Sequence, residues 1–182
     1  MIHRSITKNI KLLTGYHTQE YRHTATLDKP IKAKPEDSWL GVGYYFWLEE
    51  EFAHYWGKDK KSKKTGYYDI YKAAIVEEKI LNASFDENAY FRFRQIIEET
   101  IDHFQTKGKN VTLLQVHRFL SENIWPKIGI TGIIFDDLPQ NKETKDRIYS
   151  YIEPFYYKKR IQVVVFDLQN ISTFVIFKEE LC

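Results

Sequence analysis

The apolar residues of this chain follow two spacings, which predict strands toward both ends and helices in the middle. Apolar or alternating runs of strand length occupy residues 10–18, 68–76, 130–135, 160–167 and 173–177. Apolar residues three or four positions apart, typical of helices, occupy residues 84–106 and 112–124. Strands at both ends with two longer helices inserted between them predict a single α+β domain over residues 1–182.

Two capping-box patterns mark the expected starts of these helices. Ser84 stands three residues before Glu87, and Thr112 stands three residues before Gln115. Each hydroxyl is expected to accept a hydrogen bond at the start of its helix, with the longer side chain reaching back. The residues expected to face the core are Tyr90, Phe93, Ile97, Ile101 and Phe104 in the first helix, and Leu113, Val116, Leu120 and Ile124 in the second.

Residues 39–56 combine two glycines, an aromatic run and a helical spacing. The glycines are Gly41 and Gly43, and residues 44–47 that follow are all aromatic, which favours a half-buried strand. The next residues have apolar side chains at helical spacing and three glutamates in the first turn, so a helix ending at Gly57 is expected. Tyr45 and Tyr55 could hold a flat ring between them, or they could simply pack in the core.

Residues 19–38 are polar, contain Pro30 and Pro35, and show no clear period. They predict a loop of about twenty residues, a length that is usual for functional or mobile loops. Residues 58–64 contain five lysines and one aspartate, and they are also expected to be a loop. That loop is either a solvated surface or a phosphate-binding surface for nucleic acid, with the side chains of Lys60, Lys61, Lys63 and Lys64 as the contacts.

Composition narrows the class of protein but names no partner. Hydrophobic residues make up 43% of the chain and aromatic residues 16%, as in a globular protein. A net charge of +2 is too small to indicate a partner class. Cys182 is the only cysteine, so no disulfide forms within a monomer, and a cytoplasmic protein is expected. No signal-peptide pattern and no apolar run of membrane-spanning length is present, so no membrane association is expected.

The remaining titratable candidates are weak as sites. His103 and His117 lack the spacing of a metal-binding helix, and no metal is predicted. Asp136 and Asp137 follow a predicted strand and favour a turn, although paired acids could also bind a metal or act as acid and base. Glu153 precedes a proline and could lie beside a cleft. The sequence contains neither a Walker motif nor a Rossmann-type glycine motif, so neither device for binding phosphate is expected.

Three separated motifs together resemble the ADP-ribosyltransferase superfamily, in the branch of the poly(ADP-ribose) polymerases and their bacterial toxin relatives. The matching residues, in order, are His17 and Thr18, then Gly41, Gly43, Tyr45 and Phe46, and then Ala53 and Tyr55. The resemblance implies two β-sheets packed at a steep angle with NAD in the cleft between them. The two long helices in the middle of the chain match no motif of the family.

The resemblance also implies roles for individual residues. His17 would bind the adenosine ribose, the backbone of Thr18 would bind the nicotinamide carboxamide, and the rings of Tyr45 and Tyr55 would enclose nicotinamide. Ala53 belongs to the helical part of the same cofactor-binding motif. The third catalytic position, after His17 and Tyr45, falls on Gln162, five residues before Asp167.

The sequence departs from the family pattern at three of these positions. Thr18 stands where the family has glycine, Phe52 where it often has a serine that holds the carboxamide, and Gln162 where the polymerases have glutamate. A glutamine can hydrogen-bond a ribose hydroxyl but cannot act as a general base. Chain elongation is therefore not expected, whereas single transfer to a nucleophile that needs little activation remains open.

The function implied by the resemblance is mono-ADP-ribosyl transfer, with NAD as co-substrate and no metal. The lysine-rich loop favours a nucleic-acid acceptor, RNA or DNA, over a protein. The size and toxin likeness suit a toxin of a toxin–antitoxin or phage-defence system, with an antitoxin as a possible partner. The alternatives are transfer to a protein and an inactive module that binds NAD, ADP-ribose or a protein. Removal of an RNA 2′-phosphate with NAD is disfavoured, because that family's additional arginines are not seen here.

Overall fold

The part of the chain that the structure describes contains seven strands and three α-helices. The computed structural model describes residues 10–23, 25–137 and 159–181, with side chains as far as Lys178. The strands are β1 Leu12–Glu20, β2 Tyr44–Trp47, β3 Tyr67–Val76, β4 Ile80–Asn82, β5 Gly132–Asp136, β6 Ile161–Val165 and β7 Ile171–Leu181. The helices are α1 Glu50–Trp56, α2 Glu87–Thr106 and α3 Leu113–Asn123. Glu153 lies outside the described residues.

The strands form one mixed sheet in the order β4-β5-β6-β2-β1-β3-β7. Only β4 and β5 are parallel neighbours, and the other adjacent strands are antiparallel. The α+β class predicted from the sequence is therefore confirmed, whereas strand pairing gives a single sheet where two were expected. A single residue pair, Tyr16 with Trp47, joins β1 to β2.

That junction divides the sheet into a β2 half (β4, β5, β6 and β2) and a β1 half (β1, β3 and β7). Phe46 and Val163 of the β2 half share a buried cluster with Ile75 of the β1 half. Gly15 lies where the halves meet, and a Cβ added there would be 2.8 Å from both Phe46 Cβ and Ile75 Cδ1. The glycine therefore permits the close approach through which the two halves share one core.

The helices cover the two halves separately. Helices α2 and α3 pack on the β2 half through a cluster that includes Phe93, Leu120 and Val164. Helix α1 packs on the β1 half, where Phe52 lies with Tyr68 in another buried cluster. Within the described ranges, no helix is both long and apolar enough to cross a membrane.

One of the two predicted capping boxes is confirmed. The Gln115 N–H donates to Thr112 Oγ1 at 3.3 Å, and the Thr112 N–H donates to Gln115 Oε1 at 2.8 Å. The prediction for Ser84 is wrong, because α2 begins two residues later and is capped by Asp86, which accepts from the Ala89 N–H at 3.1 Å. Asn82 already accepts the Phe85 N–H at 3.1 Å, so a turn precedes the helix there.

The predicted core-facing stripes are only partly correct. Phe93 of α2 and Val116 and Leu120 of α3 are buried as expected. Tyr90 is 39% exposed and Leu113 is 56% exposed, so these two predicted core residues lie outside the core. The other predicted residues of the two stripes are buried or half-buried.

Helix α1 ends with Gly57 as its C-cap, as predicted, but the lysine segment that follows is not the predicted loop. Gly57 has a right-handed backbone, with φ of −56°, and the chain continues as a π-helical turn over Gly57–Lys61. The turn is closed by the Ser62 N–H, which donates to the Gly57 carbonyl at 2.9 Å. A Cβ on residue 57 would overlap the ring of Tyr68, so the glycine serves close packing.

Candidate functional site

His17 lies on β1 at the junction of the two halves, where its side chain is buried. Its Nδ1 is 2.9 Å from the carbonyl oxygen of Tyr45. Because a carbonyl only accepts hydrogen bonds, Nδ1 must carry the hydrogen, and Nε2 of the neutral ring is then an acceptor. The Ile31 N–H donates to Nε2 over a long 3.5 Å. The fold thus presents His17 as a hydrogen-bond acceptor.

The electrostatic surroundings of His17 keep it neutral. Burial lowers the pKa of His17 to about 4, the hydrogen bond to the Tyr45 carbonyl opposes this shift, and the charge of Lys61 lowers the pKa further. The imidazole is therefore uncharged near pH 7. A neutral acceptor nitrogen is suited to a hydroxyl donor, such as the hydroxyl of a sugar.

Thr18 and Ala53, two other predicted cofactor-binding residues, are joined to each other. The Thr18 hydroxyl, which is buried, donates to the Ala53 carbonyl at 2.8 Å and so links β1 to α1. This bond gives the threonine a structural role at the position where the family that the sequence resembles has glycine. Phe52, beside Ala53, is fully buried among aromatic and aliphatic side chains.

The hydroxyl of Tyr45 is fully engaged in local contacts. It accepts from the Leu40 N–H and donates to the Gly41 carbonyl, both at 2.8 Å. Burial raises the pKa of Tyr45 above its usual range, opposed by the Leu40 hydrogen bond. Gly41 has φ of +111° and lies too close to Ser121 for a side chain. Tyr45 therefore fixes the glycine turn that precedes β2.

Tyr55 is placed differently from Tyr45. Its ring is 50% exposed and contacts Phe52 with a centroid distance of 6.2 Å. Among the described rings, Tyr45 and Tyr55 do not touch each other. Because Tyr45 packs beside the core of the β2 half, the two rings do not form a preassembled stack.

Gln162 lies on β6, directly opposite Trp47 of β2. Trp47 in turn pairs with Tyr16, so Gln162 lies in one row with Tyr16. Because successive residues of a strand point to opposite faces of the sheet, His17 projects from the other face. Gln162 Oε1 accepts from the indole N–H of Trp39 at 2.9 Å. Because an indole N–H can only donate, this contact fixes the orientation of the amide and leaves its NH₂ group as the donor.

The lysine-rich turn lies beside the end of β1. Lys64 forms an ion pair of 3.6 Å with Glu20, three residues after His17. Lys60 pairs with Asp59 at 2.9 Å, and Lys61 is close enough to influence the pKa of His17. The predicted acceptor-binding lysines and the predicted ribose-binding histidine are therefore in the same region.

The two aspartates at the end of β5 are paired with basic residues. Asp136 is 3.3 Å from Lys159, and Asp137 is 3.1 Å from Arg160. Burial raises the pKa of Asp137, and the charge of Arg160 opposes that shift. Across residues 10–137 and 159–178, no group of three or more His, Cys, Asp or Glu side chains is arranged to hold a metal ion.

The sequence placed neither Tyr71, considered only as a base-stacking residue near the lysine loop, nor Trp39 next to the candidate site residues. Tyr71 pairs directly with His17 across β1 and β3, stacks on Phe174 with centroids 4.7 Å apart, and accepts the Leu27 N–H at 3.1 Å. Its strand was predicted, but the register that places it beside His17 is not visible in the alternation of residues. Trp39 was only the first residue of the segment 39–56.

The sequence matches no protein-family model, and no curated protein or solved structure is significantly similar to the chain. What the protein does is therefore inferred from its own residues and contacts.

Proposed function

We propose that this protein is a mono-ADP-ribosyltransferase that cleaves NAD at the nicotinamide bond and transfers ADP-ribose to a macromolecule. The main support for this proposal is the hydrogen bond from His17 Nδ1 to the carbonyl oxygen of Tyr45. It joins the histidine motif to the glycine–tyrosine motif and leaves Nε2 as the acceptor that we propose for a ribose hydroxyl.

Two further features support the proposal. The Thr18–Ala53 bond joins the histidine motif to the helical motif across 35 positions of sequence. The two halves of the sheet are joined by a single residue pair beside His17, and this junction is where the proposed cofactor cleft would lie. The three motifs that suggested the family are thus held together by direct contacts.

The proposed reaction breaks the bond between C1′ of the nicotinamide ribose and the ring nitrogen of nicotinamide. Nicotinamide leaves with the bonding electron pair, and the ribose carbon develops oxocarbenium-like positive charge, as in glycoside cleavage. An acceptor nucleophile then bonds to C1′ and loses its proton to solvent. The Gln162 NH₂ group can donate to a ribose hydroxyl and orient the sugar, but it removes no proton.

The absence of a base at residue 162 favours acceptors that are already nucleophilic, such as a ring nitrogen or amine of a nucleobase. The lysine turn beside His17 supports a nucleic-acid acceptor, since lysines bind phosphates of either RNA or DNA. Transfer to a protein is the alternative acceptor. A role as the toxin of a toxin–antitoxin or phage-defence pair stays a prediction.

A catalytically inactive module that binds NAD or ADP-ribose is the second candidate function. The observation favouring it is the environment of Gln162, whose side chain is buried and held by Trp39. Such a module would bind the dinucleotide through His17 without turnover.

The test is incubation of the full chain with NAD labelled in its adenylate part, together with single-stranded RNA, single-stranded DNA or protein. Wild type is compared with His17→Ala and with His103→Ala, which changes an exposed histidine of α2. We expect nicotinamide release and label on nucleic acid with wild type and His103→Ala but not with His17→Ala. NAD binding without release would support the inactive module, and no NAD binding would contradict both candidates.

A further inference from the structure

Residues 25–33, here called the strap, lie across the candidate site without forming a helix or strand. Three strap N–H groups donate to three separate parts of the sheet. Leu27 donates to the Tyr71 hydroxyl at 3.1 Å, Ile31 to His17 Nε2 at 3.5 Å, and Ala33 to the Gly43 carbonyl at 2.9 Å. The strap therefore runs from β3 over β1 to the residue before β2.

One side of the strap faces the protein and the other faces solvent. Pro30 is buried and Leu27 and Ile31 are half-buried, whereas Asp28 and Lys29 between them are exposed. The attachment depends on few buried side chains and few hydrogen bonds. Segments of this kind open at a small part of the cost of global unfolding.

The strap uses the one nitrogen of His17 that a ribose hydroxyl would need. Nδ1 is committed to the Tyr45 carbonyl, so Nε2 is the only acceptor on the ring. At 3.5 Å, the bond from Ile31 to Nε2 is long. A sugar hydroxyl could bond to the same nitrogen at about 2.8 Å with better geometry. Nε2 has a single lone pair, so it cannot accept strong hydrogen bonds from the Ile31 N–H and from a ribose hydroxyl at the same time.

Two concavities of the described surface lie away from His17, as expected if the strap covers that residue. Their volumes are about 430 and 420 Å³. The first is lined by Tyr16, Leu48, His54 and three glutamates, and the second lies between the start of α2 and the end of β5. Neither is lined by His17 or Gln162, both of which are buried.

We propose that the strap is a built-in competitor of NAD: it occupies the adenosine-ribose position at His17, and NAD binds after the strap has left Nε2. This inference rests on the proposed function. The apparent dissociation constant for NAD then equals the intrinsic constant divided by the fraction of molecules with the strap open. Weakening the strap tightens NAD binding without any change to a residue that contacts NAD.

Two substitutions remove the same strap hydrogen bond from opposite sides. Tyr71→Phe deletes the acceptor and keeps the ring that stacks on Phe174, and Leu27→Pro deletes the donor. Loss of one such bond is expected to raise the open fraction, and hence the apparent affinity for NAD, about fivefold. The matched control is Tyr67→Phe, on the same strand but 40% exposed.

The experiment is equilibrium titration of the full chain with NAD, in wild type, the two strap variants, the control and His17→Ala. We expect both strap variants to bind about fivefold more tightly, the control to match wild type, and His17→Ala to lose binding. Unchanged or weaker binding in both strap variants overturns the inference while leaving the proposed function intact. Absence of NAD binding in every protein, including both strap variants, overturns the proposed function and the strap inference together.

Amide hydrogen exchange of the wild type gives an independent answer if either variant is poorly folded. Saturating NAD is expected to speed exchange of the Leu27 and Ile31 amides, because displacement exposes both N–H groups. Slower exchange at both amides with NAD bound would show that the strap closes over the cofactor, which overturns competition.

Discussion

Two buried histidines, His17 of β1 and His117 of α3, look alike by burial and by charge. Each is less than a tenth exposed, and burial lowers the pKa of each to about 4. Their contacts differ. His17 has a polar neighbour at both ring nitrogens, whereas His117 lies on the ring of Phe93, 5.7 Å between centroids, and its Nδ1 has no hydrogen-bond partner in the described chain.

The difference shows that burial and a shifted pKa do not by themselves identify a functional site. His117 acts as one more aromatic side chain of the cluster beneath α2 and α3. His17 has a defined tautomer and an acceptor nitrogen whose present donor is a weakly bonded loop amide. The hydrogen-bond partners of the two histidines therefore differ, whereas their burial and their pKa shifts are alike.

The largest change that we expect is a loss of stability at low pH, to which both histidines contribute. The unfolded chain binds protons at each histidine below about pH 6.5, whereas the folded chain resists protonation until about pH 4. The unfolded state therefore holds more protons between these values, and the free energy of unfolding falls as pH drops from 6.5 to 4. Each histidine is expected to contribute on the order of 3 kcal/mol to that fall.

Urea unfolding between pH 4 and 7 measures this effect. His17→Gln and His117→Gln should each flatten the pH dependence of the free energy of unfolding, and the double variant should flatten it further. An unchanged slope in one variant would mean that the corresponding histidine has the same pKa in the folded and the unfolded protein.

The next effect should separate the two histidines. His17→Ala is expected to lower the rate of nicotinamide release roughly 100-fold, because the ribose loses the contact that positions it. His117→Phe keeps an aromatic ring in the same cluster and should leave the rate per folded molecule near that of wild type. Equal losses in both variants would remove the distinction between a ligand-binding and a packing histidine.

A smaller effect is expected for Tyr45, whose backbone carbonyl accepts a hydrogen bond from His17. Tyr45→Phe leaves the Leu40 N–H and the Gly41 carbonyl without their partner, and we expect a loss of about 2 kcal/mol in the free energy of unfolding. Tyr44→Phe, the adjacent half-buried tyrosine of β2, is the control. Denaturant titration of both variants gives the comparison, and equal stability losses would contradict a specific role for the Tyr45 hydroxyl.

The smallest effect is electrostatic. Replacing Lys60, Lys61, Lys63 and Lys64 by glutamine should weaken binding of single-stranded nucleic acid and reduce the salt dependence of its affinity. The slope of log affinity against log salt should fall by about 0.7 for each lysine that contacts a phosphate. Fluorescence anisotropy over a salt series measures the slope, and an unchanged slope would make the turn an ordinary solvated surface.

Local signals in the sequence predicted the elements well. The Thr112–Gln115 box identifies the start of α3 because the interaction lies within four residues. Ser84 misled because Asp86, another good cap residue two positions on, takes that role. The lysine segment was expected to be irregular, yet it continues α1 as a π-helical turn because Gly57 packs against Tyr68, a contact that only the fold reveals.

Contacts distant in sequence account for what could not be predicted about the site. The motif residues were identified from their order, but the tautomer of His17 depends on a carbonyl 28 positions away. The orientation of the Gln162 amide depends on Trp39, 123 positions away. The strap was predicted only as a long loop, since no local pattern shows where its N–H groups point.

We expect His17 Nε2 to accept a hydrogen bond from a ribose hydroxyl of NAD and His117 to take no part in binding. The most direct measurement is NMR of protein labelled with ¹⁵N-histidine and titrated with NAD at pH 7, with the resonances assigned by His17→Gln and His117→Gln. The Nε2 resonance of His17 should shift on saturation, and the His117 resonances should stay in place. No shift at His17, or a shift at His117 alone, would contradict this expectation.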